Sequence, residues 1–170
     1  MTIAVAELNM ASDEDFVNCL RGIYEHSDWV PRRILKQRPF PNRQELQIAL
    51  RATVENSGDG EKLALIRAHP DLAGKLARAG ALTAESTREQ AGLGLDRLSD
   101  DAYENFSKLN QAYQERFGFP FIICARLTTQ AGVLDAFAER LPHSREVEIR
   151  TALVQIHEIA RLRLEDLVGE

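Results

Sequence analysis

The spacing of apolar positions is helical along almost the whole chain. Phe16, Leu20, Ile23 and Tyr24 share one stripe, and Ser12 followed by Asp15 resembles a capping box ahead of them. A short helix is predicted over 28–36, with Pro31 tolerated in its first turn, where a missing N–H costs nothing. Pro39 and Pro41 then break the chain around Phe40. The next helix is predicted over 43–55, burying Leu46, Ala49, Leu50, Thr53 and Val54, and the Ser-Gly-Asp-Gly run at 57–60 reads as the turn that ends it. A helix over 61–68 should stop at His69, because the residue before a proline is driven out of the α region.

Further helices are predicted over 71–79, closed by Gly80, and over 83–91, capped by Thr83 and ended by Gly92 and Gly94. Ser99 should cap a long helix to Phe117, with Tyr103, Phe106, Leu109, Tyr113 and Phe117 inward and Gly118 as its stop. Thr129 caps a helix to Leu141, and Ser144 starts the last one, to Val168, with Leu153, Ile156, Ala160, Leu164 and Leu167 on its core face. Residues 119–125 have strand propensity, but a lone strand has no partner here. They are therefore read as an apolar stretch entering a helix after Pro120. The expected fold is all-α, a compact bundle of roughly eight or nine helices.

Composition narrows the partners. At 170 residues one domain, 1–170, is expected, and 44% hydrophobic with 28% charged residues is ordinary for a soluble protein. A net charge of −5 argues against nucleic acid, which calls for a basic face. No apolar run approaches the ~20 residues that span a bilayer, so no membrane partner is expected. The N-terminal stretch lacks a basic region and a long apolar core, and the closing Leu-Val-Gly-Glu is not a peroxisomal address. Cys19 and Cys124, read as buried thiols, suit a reducing cytoplasm.

Candidate chemistry is sparse. His26 reads as a surface cap, His143 as an exposed turn residue, and His157 as a helix residue whose neighbour Glu158 does not face it. There is no HExxH, CxxC or i,i+4 histidine pair, so no metal is expected. P-loop, GxGxxG and GxSxG patterns are also absent. His69 differs by context: it stands at a helix end beside Pro70, ahead of a helix that places Ser86, Glu89 and Gln90 on one face. A base, an acid and an amide could converge there. Taken singly, His69 reads as well as a hydrogen-bonded structural histidine, and Glu89 as a solvated helix residue. Arg163 could point inward or snorkel. The residues alone give a helical domain with a candidate His/Glu site.

Four blocks go further: HPDLAG, LTAESTREQAGLGL, LNQAYQERFGFPFIICAR and EIARLRLEDL. In that order and spacing they resemble the 2-oxo-4-hydroxy-4-carboxy-5-ureidoimidazoline (OHCU) decarboxylase family, from Phe40 to the C-terminus and more loosely over the first helix. The resemblance implies an all-helical, cofactor-free, commonly dimeric enzyme that takes OHCU to (S)-allantoin, the last step from urate. It puts the catalytic histidine on His69, followed by Pro70, and an acidic catalytic partner on Glu89. It puts substrate contacts on Ser86, Thr87, Arg88, Glu89 and Gln90, and a second lining segment on Phe121, Ile122, Ile123, Cys124 and Ala125. The family's C-terminal arginine falls on Arg163. Two departures are mild: Cys124 stands where a small residue such as alanine occurs, and Leu93 where alanine is common. Two other readings remain open: a relative acting on another ureido compound, and a helical binding domain without catalysis.

Overall fold

The computed structural model describes residues 2–74, 77 and 79–169. Among them are nine α-helices and no strand longer than an isolated bridge. The chain divides into two units, residues 1–68 with 157–170, and residues 69–156.

In the first unit, α1 (Val5–Met10) precedes α2 (Asp13–Leu20), whose cap Ser12 accepts from the Asp15 N–H at 3.1 Å, as the spacing predicts. The buried face of α2 is Phe16, Val17 and Leu20. Cys19 lies off that face and is exposed, contrary to the buried reading, while Cys124 is buried. Ile23 and Tyr24 lie beyond α2 and are buried all the same. α3 (Trp29–Arg33) is shorter than the predicted 28–36 and continues as a 3₁₀ turn, Leu35–Gln37. Pro39 forces Arg38 into an extended conformation, and the Arg38 Nε donates to Leu35 O at 3.3 Å, closing the tightened end.

α4 (Arg43–Glu55) has the predicted bounds, capped by Asn42, with Leu46, Leu50 and Val54 buried. α5 (Asp59–Arg67) starts earlier than expected, taking Asp59 and Gly60 out of the turn, because Glu61 reaches back to accept from the Gly58 N–H at 3.3 Å. Val168 pairs with Ile3 through an isolated parallel bridge, the Ile3 N–H donating to Leu167 O at 2.9 Å.

The second unit holds α6 (Ala84–Gly92), α7 (Asp100–Phe117) and α8 (Gln130–Arg140). Their caps Thr83, Ser99 and Thr129 are the predicted ones, each side chain accepting a first-turn N–H. Gly118 ends α7 at φ 78°, a left-handed conformation that glycine adopts without strain. α9 (Arg145–Leu167) begins in this unit and ends in the first.

Two expectations change here. Residues 71–74 form no helix: they turn, with Ala73 at φ 51°. Of the helix expected over 71–79, Lys75, Leu76 and Arg78 lie outside the described residues. Nor does the chain enter a helix after Pro120; residues 120–124 have no regular structure, and only a 3₁₀ turn, Ala125–Leu127, follows. Aromatic packing anchors that stretch instead. Phe121 stacks on Phe137 with ring centroids 3.8 Å apart, and Tyr113 meets it edge-on at 5.2 Å.

Candidate active site

His69 opens the second unit, just beyond the α5 C-cap Ala68, and is buried. The turn that follows is held by amide side chains. The Gln90 Oε1 accepts from the Ala73 N–H at 2.9 Å, and its Nε2 donates to Asp71 O at 3.3 Å. From α7, the Asn110 Nδ2 donates to Leu72 O at 2.8 Å and the Gln114 Nε2 to Asp71 Oδ1 at 3.1 Å. A turn outside regular structure has backbone groups that need partners once buried, and these amides supply them. The turn after His69 is thereby fixed to α6 and α7.

Gln90 thus has a second occupation beyond its expected substrate contact. An amide offers two donors and two acceptor sites, so one of each remains after the turn is bonded. Gln90→Leu is expected to leave the Ala73 N–H and Asp71 O without this partner, at about 1–3 kcal/mol. Urea unfolding and faster amide exchange at Ala73 measure that loss.

On α6, Ser86 and Gln90 are buried and Glu89 is half-buried, so the predicted face is the inward one. Thr87 and Arg88, which the resemblance includes among the contacts, lie on the exposed side. The 3₁₀ turn Ala125–Leu127 packs on α6. The stretch after His69 and the end of segment 121–125 therefore both adjoin α6.

Segment 121–125 is itself pinned. The Arg140 Nη1 donates to Ile122 O at 2.7 Å, and the Cys124 N–H donates to Gln155 Oε1 at 2.9 Å. Arg140 is in turn bound to Glu148, its Nε at 3.0 Å and Nη2 at 2.9 Å from Oε2. The Tyr113 hydroxyl donates to the same carboxylate, and His143 Nδ1 lies 2.9 Å from its Oε1. Burial works against the Glu148 charge, but the hydrogen bonds from Arg140, Tyr113 and His143 outweigh it and hold the carboxyl below its ordinary range. Burial first, and then the bond to Glu148, push the Tyr113 phenol up, so it keeps its proton and donates.

Sequence reasoning missed this network. His143 is half-buried and bound to Glu148, not a bare turn residue. Asn110 had a legible signal, a polar residue in the buried stripe Phe106, Tyr113 and Phe117. Arg140 and Glu148 had none, since no helical spacing relates residues on either side of the Pro142 corner.

Two other polar clusters belong to the first unit. Arg163 is buried, its Nη1 donating to Glu25 Oε2 at 2.7 Å and to Gly22 O at 2.9 Å. Of the two readings open for it, the inward one holds. His157 is also buried, its Nδ1 2.9 Å from the Tyr24 hydroxyl and its Nε2 3.4 Å from Glu55. It lines a small cleft with Tyr24, Gln47, Arg51 and Arg161. None of the expected site residues lines that cleft.

Burial, aided by Arg51, lowers His157 from 6.5 to about 4. A folded value below the unfolded one means that the unfolded chain takes up the proton first. The stabilisation is complete above pH 6.5 and is lost as pH falls toward 4, about 3 kcal/mol at most. His157→Gln can still accept from Tyr24 but does not titrate, so it should lose less stability than the natural chain between pH 7 and 4.5. Paired urea midpoints at the two pH values check this.

No cluster of three metal-binding side chains occurs among the described residues, and no helix among them is long and apolar enough to cross a membrane.

Comparison with known proteins bears on this arrangement. The profile of the family described as OHCU decarboxylase matches residues 9–165. A 2-oxo-4-hydroxy-4-carboxy-5-ureidoimidazoline decarboxylase of Halalkalicoccus jeotgali is 41% identical over 165 residues, 97% of this chain and 92% of its own. The crystal structure of an (S)-allantoin synthase aligns with a TM-score of 0.79 at 32% identity, over 98% of this chain and 54% of that one. This chain therefore spans about half the length of that protein. A crystal structure of OHCU decarboxylase in the presence of (S)-allantoin aligns with a TM-score of 0.67 at 25% identity, over 92% of this chain and 97% of that one. With the profile running through both units and a relative so similar along its length, the chain belongs to the OHCU decarboxylase family.

Proposed function

We propose that this family member is a carboxy-lyase that converts OHCU stereospecifically to (S)-allantoin, in a site built on His69, Pro70, the inward face of α6 and residues 121–125. The observation that carries the reading is the pair of hydrogen bonds from the Gln90 carboxamide to the turn after His69, which ties the imidazole's chain corner to the helix bearing Glu89.

The chemistry asks for few groups. The bond from the ring carbon to the carboxylate breaks, and its electron pair passes into the adjacent carbon–nitrogen double bond, whose nitrogen gains a proton. The resulting enol loses its hydroxyl proton as the carbon bearing the ureido group gains one on a single face. Carbon dioxide leaves, and one proton is taken up overall. The substrate's own ring is the electron sink that a cofactor supplies elsewhere.

His69 carries the protons, since an imidazole ordinarily titrates near neutral pH and can both give and take. Glu89 orients that imidazole or accepts from the substrate's hydroxyl and N–H groups. Ser86 and the remaining capacity of Gln90 pair with ureido atoms, which must not be left unbonded when buried. Backbone groups of residues 121–125 read the ring, and the apolar side chains beside them keep water away.

The family match through both units supports reading residues 1–170 as one functional module. A homodimer in the cytoplasm belongs to the same reading; light scattering on the purified chain tests the first part. Freshly generated OHCU, followed by circular dichroism, tests the activity. A signal of (S)-allantoin rising faster than the spontaneous racemate is expected. A rate and product unchanged by the protein would refute the reading.

A further inference from the structure

Segment 121–125 carries the backbone proposed to read the substrate's ring, yet it has no helix or sheet to hold it. A trans peptide points its C=O and its N–H to opposite sides. The Ile122 carbonyl is taken by Arg140 at 2.7 Å and the Cys124 N–H by Gln155 at 2.9 Å. The Ile123 N–H, in the same peptide as the first, therefore points away from Arg140, and the Ile123 C=O, in the same peptide as the second, away from Gln155. Ile123 is half-buried between buried neighbours.

We propose that Arg140 and Gln155 are positioning residues of the decarboxylation, holding residues 121–125 so that the Ile123 peptide faces the substrate. The inference rests on the function proposed above. Glu148 accepts from the Arg140 Nε and lies within ion-pair range of its Nη2, and the fork lies over the Phe121 ring, 4.2 Å from its centroid. A buried ion pair is seldom more stabilising than apolar residues of the same shape. What this one supplies is direction: a charged, planar donor aimed at a single carbonyl.

Gln155 allows a clean test. Gln155→Leu removes the acceptor for the Cys124 N–H, whereas Gln155→Glu keeps an acceptor at the same reach. With OHCU as substrate, Gln155→Leu is expected to raise KM about tenfold and to lower the enantiomeric excess of the allantoin, while the folded fraction is unchanged. Gln155→Glu is expected to restore both toward the natural values. A merely structural role would reduce the amount of active protein and leave KM alone, and would leave enantiomeric excess alone once the active protein is matched to that of the natural chain. Arg140→Lys retains a charge for Glu148 but loses the fork, and its folded fraction should show the same KM and stereochemical change.

A folded Gln155→Leu protein with natural KM and enantiomeric excess overturns the proposal, and so does a Gln155→Glu protein as impaired as the leucine variant. If the natural chain leaves OHCU to decay spontaneously, the underlying function fails and the positioning role falls with it. Failure of the variants beside an active natural chain removes the positioning role alone.

Discussion

His69→Ala is expected to slow OHCU turnover by about 10²–10⁴-fold, the usual worth of a positioned proton-transfer group. His69 is buried at the entrance to the turn, so the change also opens space, and stability must be measured beside rate. His69→Asn is the closer control, filling much of the volume and retaining hydrogen bonds while carrying no titratable proton. Both variants should lose rate by similar factors. If the imidazole only packed the corner, Asn would stand well above Ala, and both deficits would follow the folded fraction. Stereochemistry adds a second reading: with the enzymatic route slowed, more allantoin arises spontaneously, and enantiomeric excess should fall with rate. A correctly folded His69→Ala protein with near-natural stereospecific turnover would remove the proton-transfer role.

The largest stability effect is expected at Arg163. Arg163→Met leaves the Glu25 carboxylate, 2% exposed, without its partner at 2.7 Å. Breaking a buried pair from one side costs about 3–5 kcal/mol, because the remaining charge stays desolvated. Replacing both partners, Arg163→Met with Glu25→Met, should recover most of that loss, since neither buried charge of the pair then remains. Urea unfolding of the two single variants and the double variant closes the cycle. The same set separates two roles for Arg163. Stability recovered without activity indicates a substrate contact of the kind the family resemblance implies; stability and activity recovered together indicate that the arginine serves Glu25 alone.

Helices were legible because local rules agree with the fold. Ser12, Thr83, Ser99 and Thr129 all cap as their spacing predicts, and all but Thr83 sit ahead of buried apolar stripes. Reading failed where side chains distant in sequence decide backbone conformation. Residues 71–74 turn because Gln90, Asn110 and Gln114 bond their backbone and Asp71, a constraint that no local pattern contains. Residues 120–124 stay irregular because Arg140 and Gln155 supply the partners that a helix would otherwise provide. On α6 the periodicity placed Ser86, Glu89 and Gln90 together, but not the commitment of the Gln90 amide to the turn after His69. The chemistry itself came from resemblance across four blocks; a lone histidine before a proline has no reaction written in it.

The central claim is that His69, α6 and residues 121–125 form one binding site. Its most direct test is an NMR titration of the labelled protein with (S)-allantoin. Saturable shifts are expected in the His69 ring and in the amides of Glu89, Gln90, Ile122, Ile123 and Cys124, moving together with one dissociation constant. Saturable binding that shifts residues elsewhere and leaves the His69 ring and the 122–124 amides still would contradict the account.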